Sequence, residues 1–61
     1  MKPVEIYTTP LCGYCHAAKR LLTRKGVAFT ETDVTDPVRR AAMVARSGRR
    51  SVPQIFIGGV H

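Results

Sequence analysis

Two segments with helical periodicity separate three short strand-like segments, and this alternation restricts the fold of the 61-residue chain more than any other feature. The predicted strands cover residues 4–8, 27–32 and 54–57, and the predicted helices cover residues 13–25 and 37–47. Helical crossovers join parallel strands and are nearly always right-handed. We therefore predict an α/β domain with sheet order 2-1-3, in which strand 1 is parallel to both neighbours and the helices lie on opposite faces.

Apolar residues at helical spacing predict which side of each helix packs on the sheet. In the first helix these residues are Tyr14, Ala18, Leu21 and Leu22. In the second helix they are Val38, Ala41, Ala42 and Ala45. Asp36 and Pro37 are typical of a helix start, and Gly26 and Gly48 of helix ends. Phe29 is the predicted core residue of the second strand.

The third strand is preceded by Ser51-Val52-Pro53 and followed by Gly58-Gly59. The two glycines predict a hairpin turn. A strand entry is one of the few places where an X-Pro bond is readily cis. A cis Val52-Pro53 bond would leave the Val52 backbone groups available to an extended peptide, whereas a trans bond would be an ordinary strand start.

The only two cysteines, Cys12 and Cys15, stand where the first strand gives way to the first helix. Free N–H groups and the helix dipole favour the thiolate at a helix N-terminus. The thiolate is the nucleophile of disulfide exchange. Cys15 lies one turn later on the same side and should be less exposed. This asymmetry predicts that Cys12 attacks a disulfide and that Cys15 resolves the product.

Other roles for the cysteine pair fit the sequence less well. The letters CGYCH match a haem attachment motif with His16 as axial ligand, but such short motifs match by accident. A structural zinc site needs four ligands, and beyond the cysteines only His16 and His61 are available. A structural disulfide would close too short a loop to constrain the unfolded chain. His16 is predicted to be an exposed helix residue rather than an electrostatic influence on Cys12.

The formal charge of +6 arises from ten Lys and Arg residues and four acids. Aromatic residues are few and the basic residues follow helical faces and one turn, so we favour a solvated basic surface over nucleic-acid binding. Attraction of a small anionic substrate fits equally well. No apolar run approaches the ~18 residues of a membrane span, and no signal peptide is visible. We therefore predict a cytoplasmic protein with neither a nucleic-acid nor a membrane partner.

The stretches EIYTTPLCGYCHAAKRLL, KGVAFTETDV and RSGRRSVPQIFIGG resemble a bacterial dithiol glutaredoxin of the thioredoxin fold over essentially the whole chain. The combination of C-x-Y-C with S-V-P-Q-I-F-I-G-G about forty residues later is specific, whereas either piece alone is less so. The resemblance implies reduction of protein disulfides and of glutathione mixed disulfides, with glutathione as co-substrate. Cys12 would take up glutathione, which a second glutathione releases, or Cys15 would resolve a protein disulfide.

The same resemblance assigns a glutathione site. Tyr14 would line it, and Val52 would pair its backbone with the cysteine of glutathione, with Pro53 in the cis form. A basic residue early in the second helix, Arg39 or Arg40, would meet the glycine carboxylate.

Two residues in the motif region depart from the family pattern. Thr9 stands where the family often has a lysine that meets a glutathione carboxylate, so this contact should be weaker. Gly13 stands where proline is commoner, and among similar proteins a small residue there accompanies a [2Fe-2S] cluster held between two subunits by the first cysteine and glutathione. An iron-sulfur carrier that uses Cys12 as metal ligand is therefore an alternative function, and an inactive folding or assembly fragment is a second one.

The resemblance further implies that residues 1–61 form a single truncated domain, a thioredoxin-like β-α-β-α-β fragment that lacks the family's final strand and helix. Strand 3 would then present an unpaired apolar edge, which is a template for pairing with another strand. Two copies of strand 3 related by a two-fold axis are antiparallel. We therefore predict a homodimer through the exposed edge of strand 3, with sheet order 2-1-3-3′-1′-2′.

Overall fold

The computed structural model describes residues 2–61, so Met1 of the predicted domain lies outside the described residues. The elements are β1 (Val4–Thr8), α1 (Gly13–Arg24), β2 (Thr30–Asp33), α2 (Pro37–Ser47) and β3 (Gln54–Ile57). The three strands form one sheet in the order β2-β1-β3, which confirms the predicted order. Between residues 2 and 61, no helix combines the length and the apolar character that crossing a bilayer requires.

The direction of β3 differs from the prediction. β1 is parallel to β2 but antiparallel to β3, so the expectation that both neighbours are parallel was wrong. The segment 48–53 is the cause, because it turns back toward the beginning of α2, where the Arg40 guanidinium donates to the Arg50 carbonyl at 2.8 Å. β3 therefore enters the sheet at the end where β1 finishes, and Val52 comes to lie beside Cys12.

The two helices cover opposite faces of the sheet, as predicted. Lys19 of α1 pairs with Glu31 at 2.8 Å, and Glu31 is in register with Ile6 on β1. Arg46 of α2 pairs with Glu5 at 2.7 Å. Glu5 and Ile6 are successive strand residues, whose side chains point to opposite faces. The two ion pairs therefore lie on different sides of the sheet.

The core is small. Its fully buried side chains are Ile6, Cys15, Val34, Met43 and Phe56. On the α2 side, the Arg46 guanidinium lies 4.0 Å from the centre of the Phe56 ring, and the Tyr7 ring meets Phe56 edge-on at 5.8 Å. Each helix contributes one buried residue, Cys15 from α1 and Met43 from α2.

The predicted buried face of α1 was only partly correct. Ala18 and Leu22 are half-buried, but Tyr14 is 81% exposed and Leu21 is 49% exposed. The helix is rotated so that Cys15 points into the core. The sulfur of Cys12, which accepts the Cys15 N–H, fixes the first turn in this orientation.

The predicted buried face of α2 was wrong. The four residues Val38, Ala41, Ala42 and Ala45 are all exposed. The side toward the sheet carries Arg40, Met43, Val44 and Ser47 at the same helical spacing. Met43 buries far more apolar surface than an alanine can, and this difference selects the face.

The second strand begins later than predicted. β2 starts at Thr30, so Phe29 precedes the strand and is only half-buried, whereas Val34 after the strand is fully buried. The predicted turns are present. Gly58 and Gly59 have φ of 59° and 81°, and Ile57 and Val60 pair across them as a hairpin.

Candidate redox site

Cys12 follows β1 and is the N-cap of α1. Its backbone is extended (φ −106°, ψ 111°), and its N–H donates to the Thr9 carbonyl at 3.4 Å. The Sγ atom accepts a hydrogen bond from the Cys15 N–H at 3.2 Å. A helix leaves its first N–H groups without backbone partners, and the Cys12 sulfur satisfies one of them. Both thiols are free and Cys12 is partly accessible.

These contacts favour the charged form of Cys12. A hydrogen bond from the Cys15 thiol holds the pKa of Cys12 below its ordinary value, against a smaller opposing effect of burial. Hydrogen bonds from the N–H groups of Cys15 and Tyr14 lower this pKa further. Each of these donors stabilises a thiolate more than a thiol. The sequence predicted that the helix N-terminus favours the Cys12 thiolate, and the structure identifies the groups that donate to it.

Cys15 has the opposite environment. Its side chain is fully buried, and burial raises the pKa of the Cys15 thiol above its ordinary value. The hydrogen bond that it donates to Cys12 raises the pKa further, because it favours the protonated form. The pair therefore combines an accessible sulfur of lowered pKa with a buried sulfur of raised pKa, in the order that the sequence predicts.

Val52, which follows Cys12 by 40 residues in the sequence, lies beside it in the structure together with Pro53. The Cys12 thiol donates to the Val52 carbonyl, with 3.8 Å between Sγ and O. The Val52-Pro53 peptide bond is cis, the rarer of the two predicted forms. Tyr14 lies one position into the helix and is mostly exposed. Of the predicted glutathione residues, these three therefore lie around Cys12.

The two candidate arginines in α2 differ in their contacts. Arg40 is half-buried and donates to the carbonyls of Val34, at 3.2 Å, and Arg50. The Arg39 side chain is exposed. Hydrogen bonds from Thr35 hold the pKa of Asp33 below its ordinary value, and the Arg39 charge lowers it further by a smaller amount. Arg40 is thus committed to connecting α2 with the segment before β3, which makes Arg39 the better placed of the two to meet a ligand.

His16 is exposed, as predicted, and one ring nitrogen lies 2.9 Å from the Pro10 carbonyl. Within residues 2–61, no three side chains of the His, Cys, Asp and Glu types come together in a group that could hold a metal ion. His61 stacks on Phe56 with 4.8 Å between ring centres and also contacts Gln54, away from the cysteine pair. The four candidate zinc ligands therefore do not converge.

A polar network that the sequence did not predict lies beside the cysteine pair. Glu31 accepts hydrogen bonds from Lys19 at 2.8 Å and from the buried Thr8 hydroxyl at 2.6 Å, and these contacts lower the pKa of Glu31. The Lys19 charge also partly counteracts the raised pKa of Cys15. The available signal was the spacing of Cys15 and Lys19, because residues four apart are neighbours on a helix.

Comparison with known proteins shows to which family this chain belongs. The glutaredoxin family profile matches residues 4–61. The chain is 52% identical over 62 aligned residues to glutaredoxin 3 of Escherichia coli K12, covering all of this chain and 75% of that protein. Among solved structures, a Brucella melitensis glutaredoxin has a TM-score of 0.83 and 56% identity over the whole chain, which spans 67% of that protein.

A glutaredoxin–glutathione complex from buckwheat is also similar, with a TM-score of 0.87 and 30% identity over 98% of this chain. The match spans 58% of the buckwheat chain, so these relatives are all longer than the chain described here. The profile match, the identities and the shared fold agree with one another. The chain therefore belongs to the glutaredoxin family of glutathione-dependent disulfide oxidoreductases.

Proposed function

We propose that this chain catalyses glutathione-dependent thiol–disulfide exchange with Cys12 as the nucleophile. The observation that carries the proposal is the contrast between the two sulfurs. Cys12 is accessible, caps α1 and has a lowered pKa, whereas Cys15 is buried within reach of Cys12 and has a raised pKa.

Reduction of a protein–glutathione mixed disulfide needs Cys12 alone. The Cys12 thiolate attacks the glutathione sulfur, the old S–S bond breaks, and the protein thiolate leaves and takes up a proton. A second glutathione thiolate then attacks the sulfur of the bound glutathione. This step releases oxidised glutathione and restores the Cys12 thiolate.

Reduction of a protein disulfide uses both cysteines. Attack by Cys12 forms a mixed disulfide with one substrate cysteine and releases the other as a thiol. Cys15 then loses its proton and attacks the Cys12 sulfur, so that the substrate leaves fully reduced and a Cys12–Cys15 disulfide remains. Two glutathione molecules reduce this disulfide and become oxidised glutathione.

We place the glutathione against Tyr14, Val52 and Pro53, with Arg39 facing its glycine carboxylate. The Val52 carbonyl already accepts from the Cys12 thiol, so a peptide whose sulfur reaches Cys12 also passes the Val52 backbone. The exposed Tyr14 ring can flank that peptide. A buckwheat relative was solved as a complex with glutathione, which supports glutathione as the ligand of this chain.

The test compares Cys12→Ser with Cys15→Ser on two substrates. We expect Cys12→Ser to abolish reduction of both a glutathione mixed disulfide and a protein disulfide. Cys15→Ser should retain the first activity and lose most of the second, because only the second needs a resolving thiol. Turnover by the Cys12→Ser variant would refute the mechanism, and circular dichroism of both variants controls for folding.

A [2Fe-2S] cluster is the alternative that the resemblance suggests, with Cys12 as the ligand of each subunit. Cys12 is partly accessible and can supply a thiolate, but Cys15 is buried. One chain therefore offers a single suitable ligand, and glutathione and a second copy would have to complete the set. Anaerobic reconstitution with iron, sulfide and glutathione tests this role, and a sample without visible absorption would argue against it.

We also propose that two chains associate through the outer edge of β3. The available edge is shorter than the sequence suggests, because Val60 already pairs with Ile57 there. Pairing with a second β3 would use the part nearer Gln54. Sedimentation over a concentration series decides between a dimer and a monomer, and a constant monomer mass would reject the association.

For the location of the chain we propose the cytoplasm, where thiols are kept reduced. The proposed exchange needs a reduced Cys12 thiolate, which such a compartment supplies. Cell fractionation with an antibody to the chain would test it, and recovery in the periplasmic fraction would contradict it.

A further inference from the structure

The acidic residues within residues 2–61 all have structural partners. Glu5 and Glu31 form the two ion pairs. Asp33 accepts hydrogen bonds from the backbone and hydroxyl of Thr35. Asp36 caps α2 by accepting from the Arg39 N–H. The carboxylates of this part of the chain are therefore occupied within the fold.

Most of the basic residues have no acidic partner. Of the ten Lys and Arg residues, only Lys19 and Arg46 form ion pairs within the described residues 2–61. Four of the other eight stand on α2 and on the segment that follows it. These four residues are Arg39, Arg40, Arg49 and Arg50. Half of the charge without an acidic partner thus stands on α2 and on the segment that leads into Val52.

A groove lies between α2 and this segment, and we call it the α2 groove. It encloses about 430 Å³ and is lined by Pro37, Arg40, Ala41, Val44, Ala45 and Arg50. Ala41 and Ala45 belong to the apolar face that the sequence predicts to be buried and that the structure leaves exposed. The groove therefore joins apolar helix surface to two arginines.

The α2 groove is close to the reactive sulfur. Its lining residue Arg50 stands two residues before Val52, a chain separation of at most about 7 Å. The Val52 carbonyl is 3.8 Å from the Cys12 sulfur. A polypeptide whose cysteine reaches Cys12 can therefore extend past Val52 into the groove within a few residues.

We propose that the α2 groove docks a segment of the protein substrate that carries acidic and apolar side chains next to the reacting cysteine. A carboxylate of this segment would meet the Arg50 guanidinium group, and an apolar side chain would lie on Ala41 and Ala45. The proposal rests on the proposed disulfide exchange and adds a substrate preference to it. Charge complementarity of this kind increases the selectivity for a partner and the rate of association more than it increases the binding affinity.

A binding experiment tests the groove without any catalysis. Two short peptides of equal length, alike except that one carries Glu and the other Lys around a central apolar residue, are titrated into the ¹⁵N-labelled chain. We expect the acidic peptide to shift the amide signals of Ala41, Val44, Ala45 and Arg50 and the basic peptide to leave them in place. Absence of shifts in these signals would overturn the proposal.

Two charge variants show whether Arg50 is responsible. Arg50→Glu should weaken binding of the acidic peptide roughly twofold to fivefold at low salt, as expected for exposed charge pairs. Lys2→Glu makes the same change of charge at a site remote from the groove, because Lys2 precedes β1 whereas Cys12 and Val52 lie beyond the other end of that strand. This control variant should have little effect on peptide binding. Equal losses in both variants would show that only net charge matters and would overturn the assignment to the groove. The difference should shrink at ~1 M salt, where screening acts within about 3 Å.

Two further variants test the apolar wall. Ala45→Gln fills the groove, whereas Ala42→Gln places the same side chain on an exposed part of α2 outside it. We expect only Ala45→Gln to reduce peptide binding. If Ala42→Gln reduced it equally, or if sedimentation showed that a second copy of the chain fills the groove, docking of the substrate there would be refuted.

Kinetics then separate this proposal from the underlying function. The same peptides carrying a glutathionylated cysteine should differ in kcat/KM, with the acidic peptide preferred. A mixed disulfide of glutathione with a small uncharged thiol should be reduced equally by the wild type and by Ala45→Gln. Reduction of the small substrate without any preference between peptides would overturn the groove alone. Failure to reduce any substrate, with peptide binding intact, would count against the catalytic proposal alone.

Discussion

The two helices begin with the same hydrogen bond made by different side chains. In α1 the Cys12 sulfur accepts the Cys15 N–H at 3.2 Å, and in α2 an Asp36 oxygen accepts the Arg39 N–H at 3.3 Å. Asp36 is an ordinary cap, and its contribution is to helix stability. A thiol in the same position has its acidity changed by the N–H groups that it caps. One local geometry therefore serves stability in α2 and reactivity in α1.

The two helices also differ in their buried residue, which is the reactive-site Cys15 in α1 and the packing residue Met43 in α2. Substitution of these residues gives the largest predicted effect on stability. Met43→Ala removes the only fully buried side chain of α2 and should lower the free energy of unfolding by about 2–5 kcal/mol. Cys15→Ala removes a single sulfur from the core and should cost about 1 kcal/mol. Urea unfolding measures both variants.

Val38→Ala is the matched control for Met43→Ala, because Val38 lies on the same helix and is 76% exposed. It should change stability by less than about 0.5 kcal/mol. A loss from Cys15→Ala as large as that from Met43→Ala would mean that Cys15 has a packing role comparable to its chemical one.

The next effect concerns the cap of α2. Asp36→Ala should reduce the free energy of unfolding by about 1 kcal/mol and leave the acidity of Cys12 unchanged, because the cap acts on α2 only. Urea unfolding gives the first quantity, and the pH dependence of Cys12 alkylation gives the second. Asp36→Asn keeps an acceptor and is the control. A shift of the Cys12 alkylation profile in Asp36→Ala would show that the two helix termini are coupled.

The smallest effect concerns the ion pair that connects α1 to the sheet. Lys19 and Thr8 hold the pKa of Glu31 below its ordinary value of 4.5. A lowered folded-state pKa stabilises the fold above the unfolded-state pKa, and this contribution disappears as the pH falls through the folded-state value. Glu31→Gln should therefore cost less than about 1 kcal/mol near neutral pH, after allowance for solvent screening, and nothing in acid.

Unfolding of wild type and Glu31→Gln at neutral and acid pH checks this prediction. Glu5→Gln, which breaks the Arg46 pair on the α2 side, should show the same pH dependence, because Arg46 lowers the pKa of Glu5. A pH-independent difference between Glu31→Gln and wild type would mean that the loss arises from packing rather than from charge.

Predictions that depend on a few neighbouring residues succeeded. Asp36 and Pro37 begin α2, Gly48 follows it with φ of 73°, and Gly58-Gly59 form the hairpin. Cys12 takes the N-cap position that its place before α1 predicts. In each case the chemistry of the residue itself favours the conformation that it adopts.

Predictions that depend on packing were less successful. An alanine-rich spacing in α2 is compatible with a buried face, but burial of Met43 excludes that face. Tyr14 has the correct spacing in α1 and still points outward, because Cys15 takes the core position. The reversal of β3 follows from the path of residues 48–53, where Arg40 contacts the Arg50 carbonyl. Periodicity identifies an amphipathic element, but competition between side chains for the core selects its orientation.

The sequence by itself determined the alternation of strands and helices and the place of the two cysteines at a helix N-terminus, because propensity, capping and turn chemistry are local. Only the tertiary structure decided that Val52 meets Cys12 across 40 residues, that Glu31 and Lys19 lie beside the cysteine pair, and that the α2 groove is exposed. These features depend on how elements distant in the chain pack, and packing is set by the whole set of buried side chains rather than by any one segment.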